Sequence, residues 1–225
     1  MDPNRPTLLV APGHRALLAV RDYNDRFQQE ERVGWSELGG QPPPGRLALS
    51  PDGRLLAAGS EHRRIQLRDV RRARDAALTV PGPTSDDLQA VSALAFAPSG
   101  DLLAVGLGWR WWREETPAEE TTRPGTVHLL DVRSGMQPVA LPSHRGPVHA
   151  IAFTPDGRWV VSAGEDRLLR FWDVAARREA AALEWHIGAV LCLAFAPDGE
   201  LLATGSADGA VRLWPWRRLL EAAGS

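Results

Sequence analysis

Short apolar runs recur along the chain, each set off by a turn built on proline and glycine. The turns read Pro12-Gly13, Pro51-Asp52-Gly53, Pro98-Ser99-Gly100, Pro155-Asp156-Gly157 and Pro197-Asp198-Gly199. Proline presets φ at the start of such a turn, and glycine accepts the positive φ that follows. Around the fourth turn the pattern is fullest. Val148-His149-Ala150-Ile151-Ala152-Phe153 alternates before it, and Trp159-Val160-Val161-Ser162 comes after it. A Gly/Asp turn then leads to Leu168-Leu169-Arg170-Phe171-Trp172, and a further turn leads to Glu179-Ala180-Ala181-Ala182-Leu183. Runs this short, bounded by turn residues, predict strands and leave no room for helices between them. The turn prolines lie 39, 47, 57 and 42 residues apart, so one supersecondary unit is repeated five times with one long insertion. The units cover about 6–38, 39–80, 81–142, 143–184 and 185–223, within a single domain of residues 1–225. A four-stranded sheet cannot cover both its faces alone, so neighbouring sheets must stack. The expected fold is all-β: a β-propeller of about five four-stranded antiparallel blades.

The same residues carry a resemblance. Trp172-Asp173 closes one run, while Arg68-Asp69, Leu130-Asp131 and Trp214-Pro215 stand at the same place with one member changed. His144, Ser162, Asp166 and Trp172 are spaced 18, 4 and 6 apart, and His186, Thr204, Asp208 and Trp214 repeat that spacing. In these features the chain resembles the WD-repeat (tryptophan–aspartate repeat) propeller family, strongly from about residue 90 onward and weakly before residue 46. The resemblance implies that the two quartets are buried hydrogen-bond networks with a structural role. A nucleophilic Ser–His–Asp triad is the competing idea, but a triad serine must face a substrate cavity, and a quartet duplicated in two units points to structure. The resemblance further implies a non-catalytic scaffold that presents rim loops to protein partners. The alternative is a propeller that binds a small ligand or glycan, or hydrolyses one, at the mouth of its central channel.

Composition narrows the chemistry. All 26 basic residues are arginine, which excludes a Schiff-base lysine or a phosphate-loop lysine. The formal net charge of −2 gives no global pull toward nucleic acid or an anionic membrane, so neither is an expected partner. Cys192 is the single cysteine and cannot form an intrachain disulfide; its place on an alternating strand predicts a small buried thiol. The six histidines form no tight ligand cluster, so no metal and no cofactor are expected. No apolar run is long enough to span a membrane, and the first residues show no secretory signal. A cytoplasmic location is the matching expectation.

Two segments depart from the bland repeat. The stretch 106–125 is an insertion in the third unit holding Trp109, Arg110, Trp111, Trp112 and Arg113. Tryptophan and arginine are common anchors of protein interfaces. The segment with Asp86 and Asp87 enters the same unit on the same rim, giving an aromatic patch with an acidic border. The competing reading folds the tryptophans back onto the rim, with Arg110 and Arg113 stacked on them. A third stretch, Arg63 to Arg74, holds six arginines, and the reading favoured is a charged sheet edge that blocks pairing. Ring closure has three outcomes: a closed five-blade ring, an open ring completed by another chain, or a piece of a longer product. In the open case, bare blade edges favour self-association. Residues 217–223 supply either a fourth strand for the last unit or a helix.

Overall fold

The computed structural model describes residues 8–9, 18–20, 32–33, 46–59, 64–69, 74–79, 89–109, 124–133 and 138–223. They form five antiparallel sheets, each a simple meander in chain order. The first sheet holds β1 (Leu8–Leu9), β2 (Leu18–Val20) and β3 (Arg32–Val33). The second holds β4 (Arg46–Leu49), β5 (Leu55–Gly59), β6 (Arg64–Asp69) and β7 (Arg74–Thr79). The third holds β8 (Gln89–Phe96), β9 (Leu102–Trp109), β10 (Gly125–Asp131) and β11 (Val139–His144). The fourth holds β12 (Val148–Phe153), β13 (Trp159–Gly164), β14 (Leu168–Asp173) and β15 (Arg178–Glu184). The fifth holds β16 (Val190–Phe195), β17 (Leu202–Ser206) and β18 (Val211–Trp214). Among the described residues no strand is shared between sheets, so no sheet is closed by the chain's other end. The arrangement is an incomplete or open propeller.

The repeated turn explains the hairpin that opens each of the second to fifth blades. Gly53, Gly100, Gly157 and Gly199 have φ of 67, 75, 71 and 74°, where only glycine sits without strain. The carboxylates of Asp52, Asp156 and Asp198 accept from the amide two residues on, at 3.0 Å in each case. These side chains close the turn that joins the first two strands.

Blades are held together face to face. Between the second and third, Ala57, Ile65 and Leu67 pack on Val91, Leu103, Val105, Leu107 and Leu130. Between the third and fourth, Ala93, Ala104, Val127, Leu129 and Leu141 pack on Val148, Ile151, Phe153, Val160 and Trp172. Between the fourth and fifth, Val161, Ala163, Leu169, Phe171 and Ala181 pack on Val190, Leu202 and Trp216. Each fully buried large side chain contributes about 1.5–3 kcal/mol relative to exposure. The pattern is consistent. A blade's forward face carries small residues on its first two strands, and the next blade fills them with larger ones. Gly106 shows how tight the fit is, since a Cβ there would lie 2.8 Å from Val148 Cγ1 of the next blade.

Two expectations need correction here. The arginines at 64 and 68 do not guard a sheet edge. They lie on β6, which pairs with β5 on one side and β7 on the other. Alternation puts Ile65 and Leu67 into the core and leaves Gln66 and Arg68 half-buried on the opposite face. Cys192 is exposed, not buried. Its strand does alternate, but among the described residues no neighbouring sheet covers the blade face it belongs to. The choice left open for residues 217–223 resolves as a helix, α1 (Trp216–Ala223). Pro215 ends β18 and suits a helix start, and Arg, Leu, Glu and Ala favour its continuation. Trp216 anchors it: the indole is 1% exposed, donates Nε1–H to the Gly199 carbonyl at 2.9 Å, and meets Phe195 edge-on.

Candidate functional site: the relay and its rim

The structure brings His144, Ser162, Asp166 and Trp172 into one chain of contacts in the fourth blade. Trp172 Nε1–H donates to Ser162 Oγ at 2.8 Å. Ser162 Oγ lies 2.6 Å from His144 Nε2, and His144 Nδ1 lies 2.8 Å from Asp166 Oδ1. An indole only donates and a carboxylate only accepts, so the directions are set from both ends. The serine hydroxyl donates to Nε2, and Nδ1–H donates to the aspartate. The fifth blade repeats this with Trp214 to Thr204 at 2.9 Å, Thr204 to His186 at 2.8 Å and His186 to Asp208 at 3.0 Å. His144 and His186 are buried, as are Ser162 and Thr204. No hydroxyl in either chain faces a cavity, which is the geometry of a structural tie and not of a nucleophile.

The aspartates do more than hold the imidazoles. Asp166 also accepts from the amides of Arg145 (3.0 Å) and Leu168 (3.3 Å), and Asp208 from those of Ile187 (3.2 Å) and Ala210 (2.9 Å). Each carboxylate therefore ties the connection entering its blade to the turn between the second and third strands. Burial pushes the Asp166 carboxyl up, but the His144 contact and the two amides outweigh it and hold it at about 2. Asp208 is likewise held well below the ordinary carboxylate range: burial again opposes, and its backbone amide, Arg212 and His186 prevail.

The contacts of four side chains escaped the sequence reading. Arg170 Nη2 lies 3.4 Å from Asp166 and Arg212 Nη1 lies 3.0 Å from Asp208, each an arginine four residues beyond its aspartate. That shared spacing was the available signal. His149 Nε2 lies 2.9 Å from Glu165 Oε2, and its place is set by the bulge between Val148 and Ala150. His128 is buried on β10, with Nε2 3.1 Å from Thr126 Oγ1. In the third blade the relay positions hold Val105 and Leu130, both buried in the apolar core. That blade is closed by packing where the next two are closed by polar ties.

The rim above the relay is charged. Arg145, Glu165, Asp166, Arg167, Leu168, Arg170 and Glu184 line a shallow concavity of about 500 Å³. Its charges are largely paired: Arg167 with Glu184 at 2.9 Å and Arg170 with Glu179 at 2.6 Å. Among the described residues, no three His, Cys, Asp or Glu side chains group as a metal site.

The insertion leaves from this same rim. Trp109 ends β9 opposite Gln89, and Gly125 begins β10 with its amide on the Gly146 carbonyl at 2.9 Å, beside His144. Both ends of the segment thus lie at the relay's end of the sheet. Arg110, Trp111, Trp112 and Arg113 lie outside the described residues, as do Asp86, Asp87 and His62. No helix among the described residues is long and apolar enough to cross a membrane.

Comparison with known proteins falls on the same blades. The family described as "WD domain, G-beta repeat" matches residues 136–173 and 178–215, which carry the two relays. WD repeat-containing protein SL1-17 of Schistosoma mansoni is 31% identical over 57% of this chain, which spans 36% of that protein. Centriole proteome protein 16 of Chlamydomonas reinhardtii is 36% identical over 58% of this chain and 5% of its own length. Nuclear distribution protein PAC1 of Arthroderma otae is 28% identical over 77% of this chain and 37% of its own. The chain thus spans about a third or less of these relatives.

Proposed function

From a chain that belongs to the WD-repeat family, we propose a non-catalytic scaffold that binds protein partners through its rim loops, chiefly the 106–125 insertion. WD-repeat proteins in general act as interaction scaffolds, and that is the part of the reading the family supplies. The observation that carries the rest is local. The insertion leaves the sheet between β9 and β10, at the end where the relays tie down the neighbouring loops. A rigid base under a loop rich in tryptophan and arginine lowers the ordering cost of binding. The proposed anchors are Trp109, Arg110, Trp111, Trp112 and Arg113, with Asp86 and Asp87 as the acidic border. A cytoplasmic site of action belongs to the same reading.

The rival reading places a small ligand, a glycan or a hydrolytic reaction at the channel mouth. The rim concavity gives it little support, because its acids are engaged: Glu184 with Arg167, Asp166 with Arg170 and backbone amides, and Glu165 with His149. The test is affinity capture with the intact chain and with a Trp109→Ala/Trp111→Ala/Trp112→Ala variant. A partner lost only from the variant supports the insertion. Equal recovery from both removes it as the site.

A further inference from the structure

The exposed large apolar side chains among the described residues all fall in the fifth unit: Ile187, Leu191, Leu201, Val211 and Leu213. The last two are 77% and 64% exposed, and they belong to one continuous surface. Residues directly opposite on paired strands share a sheet face. Cys192 stands opposite Gly205 and Ala194 opposite Ala203. Gly205 in turn stands opposite Val211, and Ala203 opposite Leu213. The forward face of this blade is therefore Cys192, Ala194, Ala203, Gly205, Val211 and Leu213, with no charge on it.

The residues at the same register in the preceding blades are mostly buried, with the alanines of β12 half-buried. In the fourth blade they are Ala150, Ala152, Val161, Ala163, Leu169 and Phe171, and the last four are 0% exposed beneath the fifth blade. In the third blade Gly106 takes the place of Gly205, and Val148 of the next blade presses on it. A Cβ on Gly205 would meet only Cys192 Sγ of its own sheet. The fifth blade thus presents a blade-contact face, continuous with the repeated interface inside the chain, to solvent.

At one position the sequence of the first unit departs from the blades that fill such a face. Relative to the turn proline, Arg5 stands where Val91, Val148 and Val190 stand in the later units. An arginine there would bring a charge onto an apolar floor. The face is instead complementary to itself. Its inner half, Cys192, Ala194, Ala203 and Gly205, is a low floor; its outer half, Val211 and Leu213, is a ridge. A two-fold axis running along β17 lays the ridge of one copy over the floor of the other, twice. Such a contact closes on itself and does not propagate. Arg212 alternates away from the face and is held by Asp208, so no charge is desolvated.

We propose that this face is where a second copy of the chain packs, β18 of each copy over β16 and β17 of the other. The site is separate from the rim insertion and does not depend on it.

The test is the mass of the full chain in solution, by light scattering across a dilution series. The expected result is a dimer that dissociates on dilution, and a monomer for the Val211→Glu/Leu213→Glu variant at every concentration. Thiol reactivity of Cys192 in the unaltered chain gives an independent reading, and it should fall as the dimer forms. Val211→Cys should couple oxidatively to Cys192 of the second copy, because the axis lays position 211 over Cys192 at the same register, while within one chain these positions lie on strands separated by β17, beyond disulfide reach. Ala175→Cys, on an exposed turn of the fourth blade, should not. A chain that stays monomeric at all concentrations overturns the proposal, whether Cys192 is reactive or protected. So does a dimer that survives the double glutamate variant, or assembly that continues beyond two copies.

Discussion

The fourth and fifth blades carry the same relay at the same spacing and differ in what covers them. Leu169 and Phe171 are fully buried; Val211 and Leu213, at the same register, are mostly exposed. The difference does not lie in the strands, since both pairs alternate with a relay-side arginine and tryptophan. It lies in the neighbour. The relay fixes a blade internally, whereas burial of its forward face depends on the next sheet. A blade is therefore two separable things: a polar tie that needs only its own residues, and an apolar face that needs a partner.

The comparison can be broken most forcefully at Phe171. Phe171→Ala removes a ring packed between two blades and should cost about 3–5 kcal/mol in chemical denaturation. A loss below about 1 kcal/mol would mean that blade stacking contributes little there. Next comes the relay. Asp166→Ala leaves the imidazole of His144 and the amide of Arg145 without their acceptor, a cost of roughly 1–3 kcal/mol. Asp208→Ala should weaken the fifth blade in the same direction, and loss of a reaction is not the expected consequence.

A pH titration sharpens the same point. The Asp166 carboxyl is depressed from 3.8 to about 2 on folding. A depressed carboxyl stabilises the folded state above its unfolded value and loses that contribution as the pH falls through its folded value. The window therefore runs from about pH 4 down to about pH 2, with about 2 kcal/mol at stake. Denaturation of the unaltered chain and of Asp166→Asn, compared across that window, should show the difference between them shrinking as pH falls. A constant difference would contradict the depressed carboxyl. The smallest effect is expected at Leu213→Ala: in dilute solution, where the chain is monomeric, it should change stability by no more than about 0.5 kcal/mol.

What could be read from the chain follows the same division. Strand meanders and turns were legible because their signals are local: Pro-Asp-Gly, period-two alternation, and a glycine that must take positive φ. The quartet His144, Ser162, Asp166 and Trp172 was legible because all four lie within one unit at a spacing repeated in the next. Cys192 was not, because its strand reads as a buried one and only a neighbouring sheet would make it so. The arginines of β6 were misplaced for a related reason. Their charge suggested an edge, but which strand is outermost is decided by β7, whose own sequence announces nothing. The helix at Trp216 could equally have been a strand, and its anchoring depends on contacts with Phe195 and the Gly199 carbonyl, which lie in another part of the blade.

Amide hydrogen exchange of the chain in dilute solution tests the central claim most directly. If stacked neighbours, and not strand sequence, set the stability of each blade, the amides of β14 should be strongly protected. Those of β18, with the same pattern but, among the described residues, one uncovered face and an unpaired edge, should exchange far faster. Equal protection of the two strands in the monomer would contradict the account.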